Sequence, residues 1–273
     1  MRVVVTGASG FIGQALCNAL GAAGHSAAPI DLRSGVKLDG GDAVVHLAGI
    51  AHRAGVAEAD YQRVNVDLAA EVGRAAAAAG MRMIYMSSVK VHGDASPAPL
   101  TEASPLAPRD GYARSKARAE DALRALAGLH LWVLRPVLVY GPGVRANFRA
   151  LLRALSSGVP LPLAGIDNRR SFLYAGNLCD AVLRVLQSGR AATYLLSDGE
   201  ALSTPQLCTR LAAAMGRDAR LFRWPACLLP GAAALTTSLE VDDTALRREL
   251  GWKPRFSTDE GLAATARAFQ EKR

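Results

Sequence analysis

Three side chains near the middle of the sequence have the types and spacing that general acid–base chemistry needs. Tyr112 and Lys116 are four residues apart on a predicted helix, so they lie on one face, a turn apart. A free phenol has a pKa of about 10, and a neighbouring ammonium group lowers that pKa and makes the phenolate available as a base. Ser88 ends a predicted strand 24 residues earlier, and its hydroxyl could hydrogen-bond the reacting oxygen. We predict a catalytic trio of Ser88, Tyr112 and Lys116, with Ser87 as the second choice for the hydroxyl; an exposed amphipathic helix is the alternative interpretation.

A glycine-rich loop near the N-terminus has the spacing of a phosphate-binding turn. The sequence TGASGFIG at 6–13 places Gly7, Gly10 and Gly13 after a predicted strand and at the start of a predicted helix. Glycine permits the tight turn and lets the backbone approach a pyrophosphate. The helix N-terminus then offers free N–H groups and the positive end of its dipole. In this strand–loop–helix context we expect a dinucleotide site rather than a purely structural turn.

An acidic residue after the second predicted strand indicates which dinucleotide would bind. Asp31 lies about 20 residues beyond the glycine loop. Its carboxylate would accept hydrogen bonds from the adenosine ribose and repel a 2′-phosphate, which favours NAD over NADP. Arg33 leaves NADP open, because a nearby arginine can accommodate that phosphate. An ordinary turn carboxylate is the other interpretation of Asp31.

The elements that would position these residues alternate along the first half of the chain. Predicted strands cover 2–5, 26–30, 43–47, 82–86 and 131–134, the last stopped by Arg135-Pro136, and predicted helices cover 13–23, 64–79 and 111–126. This rhythm predicts an α/β, Rossmann-type doubly wound parallel sheet. Further helices at 147–156, 175–187, 204–215 and 259–270 predict a small interleaved C-terminal lobe. We divide the chain into a dinucleotide-binding domain over 1–143, completed by parts of 171–200, and a mainly substrate-binding lobe over 144–273.

Composition excludes several classes of protein. With 273 residues, half of them apolar and 21% charged, the chain is neither disordered, coiled coil nor collagen-like. The net charge of +8 is scattered along the chain, so we expect no nucleic-acid partner. No cysteine has metal-ligand spacing, so we expect no metal and reduced thiols at Cys17, Cys179, Cys208 and Cys227. With no signal peptide and an apolar tract at 224–239 too broken to span a bilayer, we expect a cytoplasmic protein and no membrane partner.

Taken together, these motifs resemble the extended short-chain dehydrogenase/reductase family, in its nucleotide-sugar epimerase/dehydratase group. Within the group the sequence is most similar to bacterial UDP-sugar 4-epimerases and 4-keto-sugar reductases. The resemblance covers most of the chain. It rests on TGASGFIG (6–13), Asp31, HLAG (46–49), Asn65, MSSVKVHGD (86–94), YARSK (112–116), RPVLVYGPG (135–143), RRSFLYAGNLCDAV (169–182) and LRRELGWKP (246–254).

The resemblance implies roles for individual positions. The glycine loop would cradle the NAD pyrophosphate, a second segment would line the cofactor's path, and two residues would flank the nicotinamide. In this sequence these are Gly7, Gly10, Phe11, Ile12 and Gly13; then Leu47, Ala48 and Gly49; then Pro136 and Val139. Tyr112 and Lys116 would also bind the cofactor, and Ser88 the substrate. Asn147 and Arg170 match positions that hold UDP phosphates, a task suited to a guanidinium. The alternative is that Arg169 and Arg170 are solvated loop cations.

The implied reaction is transient oxidation at C4 of a UDP-linked hexose. Tyr112 would take the C4 hydroxyl proton while Ser88 stabilises the oxygen that becomes a ketone. An NAD(P)H-dependent 4-keto-sugar reductase would use the same trio for one half-reaction, so the trio does not separate the two. A dehydratase usually has an Asp-Glu pair after the serine, where this sequence has Val89-Lys90. A non-catalytic dinucleotide-binding protein and a reductase of non-nucleotide ketones are further alternatives.

The sequence departs from the family pattern in two places. Only eleven residues separate Asp31 from the strand at Ala43, where relatives have a helix and a strand; Leu38-Asp39 is the candidate remnant of their adenine-binding pair. The lobe is also shortened around 215–240. Family members are usually homodimers that pair through helices corresponding to 65–79 and 111–127. Alanines on the first of these helices, at 69, 70 and 75–79, would allow close helix approach or pack on their own sheet.

Overall fold

A six-stranded parallel sheet forms the centre of the molecule. The computed structural model describes residues 1–53, 55–225 and 236–271. The strands are β1 (Arg2–Thr6), β2 (Ser26–Ile30), β3 (Ala43–His46), β4 (Arg82–Met86), β5 (His130–Pro136), β6 (Leu138–Tyr140), β7 (Arg170–Tyr174), β8 (Thr193–Leu196) and β9 (Ala201–Leu202). The main sheet has the order β2-β1-β3-β4-β5-β8 with every pair parallel. The prediction of a Rossmann-type parallel sheet is confirmed.

Helices cover both faces of this sheet. They are α1 (Phe11–Ala22), α2 (Glu58–Tyr61), α3 (Leu68–Ala78), α4 (Gly111–Arg124), α5 (Ala146–Ser157), α6 (Ala175–Gln187), α7 (Thr204–Ala214), α8 (Thr244–Leu250) and α9 (Thr258–Gln270). Side chains alternate along each strand, so Val3 and Val5 pack towards α1 and α6. Val4 packs towards α3 and α4 on the other face. Burial on both faces explains why the strands are continuous apolar runs.

A second, smaller core lies beside the main sheet. In a three-stranded sheet, β7 pairs in parallel with β6 and antiparallel with β9. Apolar residues from α5, α7 and α9 pack with it, among them Phe148, Leu211 and Leu262. Asp198 joins the two parts, because it follows β8 and accepts hydrogen bonds from the Tyr140 hydroxyl, the Tyr174 amide and Asn177.

Two of the predicted elements end or bend differently from expectation. β5 does not stop before Arg135-Pro136 but continues through both, which pair with Leu195 and Leu196 of β8. The helix predicted over 64–79 begins as a π-helical turn, Gln62–Asp67, before α3 continues it. The buried Asn65 lies in this turn, where its side chain bonds groups outside the helix. π-helical turns of this kind often occur at functional sites.

The shortened segment after Asp31 contains no strand. A single 3-10 turn, Leu32–Ser34, is followed by irregular chain up to β3. Val36 and Leu38 pack against the edge of the core beneath α3, and the Asp39 carbonyl accepts a hydrogen bond from Arg2. β2 is therefore an edge strand of the sheet.

Helices α3 and α4 pack directly on one another. A Cβ at Gly73 of α3 would lie 2.5 Å from a Leu123 methyl of α4, so glycine lets this leucine pack there without a shift of its side chain. Ala69 and Ala76 are buried against the molecule's own sheet. Among the described residues, no helix combines the length and apolar character needed to cross a membrane. Positions 226–235 of the apolar tract at 224–239 lie outside the described residues.

Candidate active site

Close backbone contacts shape the glycine loop between β1 and α1. Gly7 has a φ of +67°, in the left-handed region, and its carbonyl accepts a hydrogen bond of 3.0 Å from the Gly10 amide. A Cβ at Gly7 would lie 2.7 Å from the Ala48 nitrogen, and one at Gly13 would lie 2.6 Å from the Ala8 Cα. Gly10 precedes α1 without a side-chain cap. The loop therefore forms a cradle that side chains would fill, at a helix N-terminus suited to phosphate.

The segment after β3 is held beside this loop. The Thr6 hydroxyl accepts hydrogen bonds of 3.1 Å from both Leu47 and Ala48 amides and lies 3.0 Å from His46 Nδ1. Burial, with a contribution from the nearby Lys116, lowers the pKa of His46 to about 3. The neutral imidazole thus supports the strand end rather than exchanging protons near neutral pH.

Asn65 connects this segment to α4. Its side chain accepts from the Ile50 amide at 2.7 Å and donates to the Ile50 carbonyl and the Ser115 hydroxyl. A Cβ at Gly49 would lie 2.9 Å from the Asn65 oxygen, so Gly49 is required for this approach. In the sequence, Asn65 is part of the family resemblance, but no motif there indicates this role.

A cleft of about 1010 Å³ extends from the glycine loop to the end of β2. Gly7, Ala48, Asp31 and Arg33 are among its lining residues. Arg33 Nε donates to both carboxylate oxygens of Asp31, at 3.0 and 2.9 Å. These bonds hold the pKa of Asp31 at about 2. The cleft therefore presents a carboxylate and a guanidinium side by side at its outer end.

The predicted catalytic trio meets at the end of β4. Asp110 accepts a hydrogen bond from the Ala113 amide and so starts α4, which carries Tyr112 and Lys116 on one face. Ser88 hydrogen-bonds the Tyr112 hydroxyl. Lys116 is buried, and its Nζ donates to the Met86 carbonyl at 2.8 Å. The groups are thus close enough to act on one substrate hydroxyl.

The charges at the trio differ from the sequence-based expectation. Burial raises the pKa of Tyr112 to about 12, although the hydrogen bond with Ser88 opposes the shift. Burial likewise lowers the pKa of Lys116 to about 8, opposed by the charge of Glu120. The expectation that Lys116 lowers the pKa of Tyr112 is wrong for the protein alone, because Lys116 points its ammonium at the Met86 carbonyl.

A buried ion pair that was not predicted from the sequence lies next to the trio. Glu120 is fully buried and accepts hydrogen bonds from Arg135 and from the Ser87 hydroxyl. Ser87 therefore faces away from Tyr112, and Ser88 is the serine that meets it. Two signals could have revealed the pair. Glu120 continues the spacing of four from Lys116, and Arg135 interrupts an apolar strand.

Of the residues assigned to the substrate phosphates, Arg170 is held by hydrogen bonds within the protein. Half-buried Arg170 begins β7, and its Nη1 donates to the Thr237 carbonyl and hydroxyl at 3.1 and 3.2 Å. Burial lowers the pKa of Arg170, and the nearby Asp94 opposes that shift. Asp94 pairs with Lys90, which also pairs with Asp110 at the start of α4. Charged groups thus connect Arg170 to the trio's helix.

Other assigned positions lie around the same region. Asn147 is exposed in the first turn of α5. Pro136 is buried at the end of β5, whereas Val139 is half-buried in β6. Ile12 packs against the main core, and the Phe11 ring lies where a Cβ at Gly141 would come within 3.6 Å.

The described residues contain neither the Asp-Glu pair of a dehydratase after Ser88 nor a set of metal ligands. The positions after Ser88 hold Val89, which is buried in the main core, and Lys90, which is paired with two carboxylates. Within the described ranges, no group of three or more His, Cys, Asp or Glu side chains could hold a metal ion.

Comparisons with known proteins identify the family of the chain. Residues 3–195 match the model of the NAD-dependent epimerase/dehydratase family. The chain is 32% identical to a UDP-glucose 4-epimerase of Vibrio cholerae, over 98% of this chain and 95% of that one. It is 30% identical to a UDP-glucose 4-epimerase of Mycolicibacterium smegmatis, over 100% and 99%. The solved structure of RMD from Pseudomonas aeruginosa complexed with NADPH superposes with a TM-score of 0.84 at 25% identity, over 100% of this chain and 98% of that one.

Proposed function

The chain belongs to the NAD-dependent epimerase/dehydratase family, and from this premise we propose that it is a UDP-hexose 4-epimerase. The observation that carries the proposal is the meeting of Ser88, Tyr112 and Lys116 beside the glycine cradle. Epimerisation at C4 needs both parts of this site, the tyrosine for proton transfer and the glycine cradle for the cofactor. The Vibrio cholerae and Mycolicibacterium smegmatis proteins to which the chain is similar are both UDP-glucose 4-epimerases.

The residues present fit NAD as the cofactor. The backbone space that a Cβ would fill at Gly7 and Gly13, and the uncapped start of α1, suit a pyrophosphate. We assign its binding to the predicted set: Gly7, Gly10, Phe11, Ile12, Gly13, Asp31, Leu47, Ala48, Gly49, Tyr112, Lys116, Pro136 and Val139. When bound, NAD supplies the redox chemistry at C4 of the sugar. We assign this part to residues 1–143 with parts of 171–200, and the sugar nucleotide to the lobe over 144–273.

The protein's own groups then handle the proton. Tyr112 accepts the C4 hydroxyl proton and later returns it. Ser88 hydrogen-bonds the same oxygen while it is a ketone. Lys116 lies one helical turn from Tyr112, with its ammonium group on the Met86 carbonyl. Because Tyr112 alone has a pKa of about 12, it needs additional positive charge in the complex to act as a base at neutral pH.

A purified sample tests the function directly. We expect denatured protein to release NAD, and fresh protein to interconvert UDP-glucose and UDP-galactose without added cofactor. A protein that carries no cofactor, and needs added NAD(P)H to reduce a 4-keto sugar, would instead be the reductase. The observation that favours this second candidate is the missing strand after Asp31, which leaves less chain around the adenosine end of the cleft. Val89 and Lys90 argue against a dehydratase.

Asp31 is expected to set the preference for NAD. In Asp31→Asn the carboxylate that would repel a 2′-phosphate is gone, and Arg33 is released from its pairing with Asp31. We expect the ratio of NADP to NAD affinity to rise by about tenfold or more, since one lost charge repulsion is worth about 1.4 kcal/mol at close range. Cofactor titration of the purified variant measures the ratio. Asp218→Asn is the control, because Asp218 is an exposed carboxylate of the lobe that does not line the cleft. An equal change in both variants would contradict the assignment.

Arg170 and Asn147 are proposed to hold the UDP phosphates. Arg170→Ala removes a charge-assisted contact, so we expect the KM for UDP-glucose to rise by about tenfold or more with a smaller change in kcat. Arg169→Ala is the matched control, because Arg169 is the adjacent arginine but is exposed and paired with Glu240. Steady-state kinetics measure both. An unchanged KM in Arg170→Ala would remove the main support for a nucleotide sugar.

We also propose a cytoplasmic homodimer that pairs through α3 and α4. The exposed side chains there carry opposite charges, on Glu71, Arg74, Arg118 and Asp121, which a two-fold axis could match. Cys17, Cys179 and Cys208 are free thiols, in keeping with a reducing compartment. Sedimentation equilibrium measures the oligomeric state.

A further inference from the structure

Glu120 is a fully buried carboxylate at the centre of a hydrogen-bond network. It accepts from Arg135 Nη2 at 2.6 Å and Nε at 3.0 Å, from Arg124 Nη2 at 2.8 Å and from Ser87 Oγ at 2.5 Å. These partners hold the pKa of Glu120 below its usual range despite burial. A buried ion pair rarely adds net stability compared with apolar packing. We therefore ask which groups the Glu120–Arg135 ion pair holds in position.

One branch of the network restrains the end of β4, where Met86 and Ser88 contact Lys116 and Tyr112. Ser87 donates its hydroxyl to Glu120 and its amide to the Leu134 carbonyl. It stands between Met86, whose carbonyl accepts from Lys116, and Ser88, which hydrogen-bonds Tyr112. Restraining Ser87 on both sides therefore sets the positions of the two groups that contact Lys116 and Tyr112.

A second branch restrains the turn that follows Ser88. Arg135 Nη1 lies 3.0 Å from His92 Nε2, and His92 Nδ1 lies 3.1 Å from the Pro105 carbonyl. Burial lowers the pKa of His92, and Arg135 does so too, which favours the neutral ring. A neutral ring that accepts from Arg135 must donate from Nδ1 to Pro105. Glu120 and Arg135 together thus connect α4, β4, β5 and this turn.

Glu120 also acts on Lys116 through its charge. The titratable groups facing Lys116 are Tyr112 and Glu120 on its own helix, Tyr85 on β4 with its ring 4.8 Å away, and His46 on β3. Burial raises the pKa of Tyr85 and of Tyr112 and lowers that of His46, so all three are neutral at pH 7. Glu120 is the anion of this group, and it favours the ammonium form of Lys116.

We propose that Glu120 is a positioning residue for the reaction: it fixes Ser88 through Ser87, and its charge keeps Lys116 protonated. The proposal concerns the same trio as the proposed function and rests on it for the effect on catalysis. The effect on Lys116 can be measured without turnover.

The first test follows the protonation of Lys116 directly. The chain has five lysines, so ¹³C-labelled lysine gives few NMR signals, and Lys116→Arg identifies the one from Lys116. In the wild-type protein this signal is expected to titrate near pH 8. In Glu120→Gln its pKa is expected to fall by about one unit, because the nearby anion is gone. In Glu58→Gln, which removes an exposed carboxylate paired with Arg114 and Arg118 of α4, it is expected to stay unchanged.

A double variant protects this test against misfolding. Glu120→Gln alone leaves Arg135 buried without a counter-ion, which can unfold the protein. Glu120→Gln/Arg135→Gln removes both charges. It is expected to lower the pKa of Lys116 by less than Glu120→Gln does, because the loss of the Arg135 cation offsets part of the loss of the Glu120 anion. A folded double variant with the wild-type Lys116 titration would overturn the electrostatic part of the proposal.

The second test separates position from charge. Ser87→Ala keeps the Glu120 charge but removes the hydroxyl that connects it to the strand. We expect kcat for UDP-glucose to fall by about tenfold with KM and the Lys116 titration unchanged. In Glu120→Gln the alkaline limb of the kcat–pH profile should move to lower pH as well, since Lys116 then loses its proton earlier. An unchanged kcat in Ser87→Ala would overturn the positioning part. A wild-type protein inactive on UDP-sugars, with Lys116 shifted in Glu120→Gln, would overturn the proposed function instead.

Discussion

Replacing Tyr112 by phenylalanine is expected to lower kcat by about 10³-fold, the largest catalytic effect of any single substitution considered. The variant keeps the ring and its packing but loses the hydroxyl that transfers the proton, and positioned acid–base groups contribute about 10² to 10⁴ in rate. The half-buried ring contacts Tyr61 and His52, so these contacts remain in the variant. We therefore expect the melting temperature to stay close to that of the wild-type protein. NAD affinity should fall far less than kcat, because Tyr112 is one of many residues assigned to the cofactor. Steady-state kinetics with UDP-glucose and a cofactor titration measure the two effects separately.

A hydroxyl elsewhere in the fold provides the control for this substitution. Tyr194 is buried, and its hydroxyl donates to Glu249 on α8, away from the trio. Tyr194→Phe is expected to leave kcat unchanged while it removes a hydrogen bond of the same kind. If Tyr112→Phe kept kcat within about tenfold of the wild-type value, Tyr112 would not be the proton-transfer group.

Replacing Gly13 by alanine is expected to weaken NAD binding by about 10- to 100-fold and to lower the melting temperature. An added Cβ would overlap the Gly7 carbonyl oxygen and lie 2.8 Å from the Ala8 carbonyl carbon. These neighbours are backbone atoms of the cradle itself, so the loop must move away from α1. Overpacking of this kind costs about 1–3 kcal/mol, and the moved loop is the surface that would meet the pyrophosphate. Calorimetry and thermal unfolding of the variant measure the two losses.

A second glycine of α1, Gly21, provides a control that distinguishes steric crowding from a change in helix propensity. A Cβ at Gly21, near the end of α1, would meet no heavy atom within 4 Å. Gly21→Ala is therefore expected to keep cofactor affinity and to stabilise the protein by up to about 1 kcal/mol. Equal loss of NAD binding in both variants would show that the effect comes from α1 as a whole and not from the cradle.

Sequence reasoning could place the parallel sheet and the trio because each depends on local pattern. Strands buried on both faces are continuous apolar runs, and the spacing between Tyr112 and Lys116 fixes their common face. The choice of Ser88 over Ser87 also agrees with the contact that Ser88 makes with Tyr112. The roles of the cofactor and substrate residues remain predictions.

What could not be predicted depends on contacts between distant segments and on burial. Arg135 was treated as the end of a strand, but it is part of the strand because Glu120 neutralises its charge inside the fold. Burial determines the pKa of Tyr112, and the spacing from Lys116 does not. The reason is that Lys116 donates to the Met86 carbonyl at the end of β4. Neither partner is close in sequence to the residue that it affects.

The segment between Asp31 and β3, which contains no strand, also affects the tendency of the protein to aggregate. It leaves β2 as an edge strand, and an edge strand with free backbone groups can pair with strands of other chains and start aggregation. Pro29 lies near the end of β2, is exposed and has no amide hydrogen to donate. A strand from another molecule could therefore not form an uninterrupted ladder along this edge. Pro29 thus interrupts the hydrogen-bonding edge that the irregular segment after Asp31 leaves uncovered.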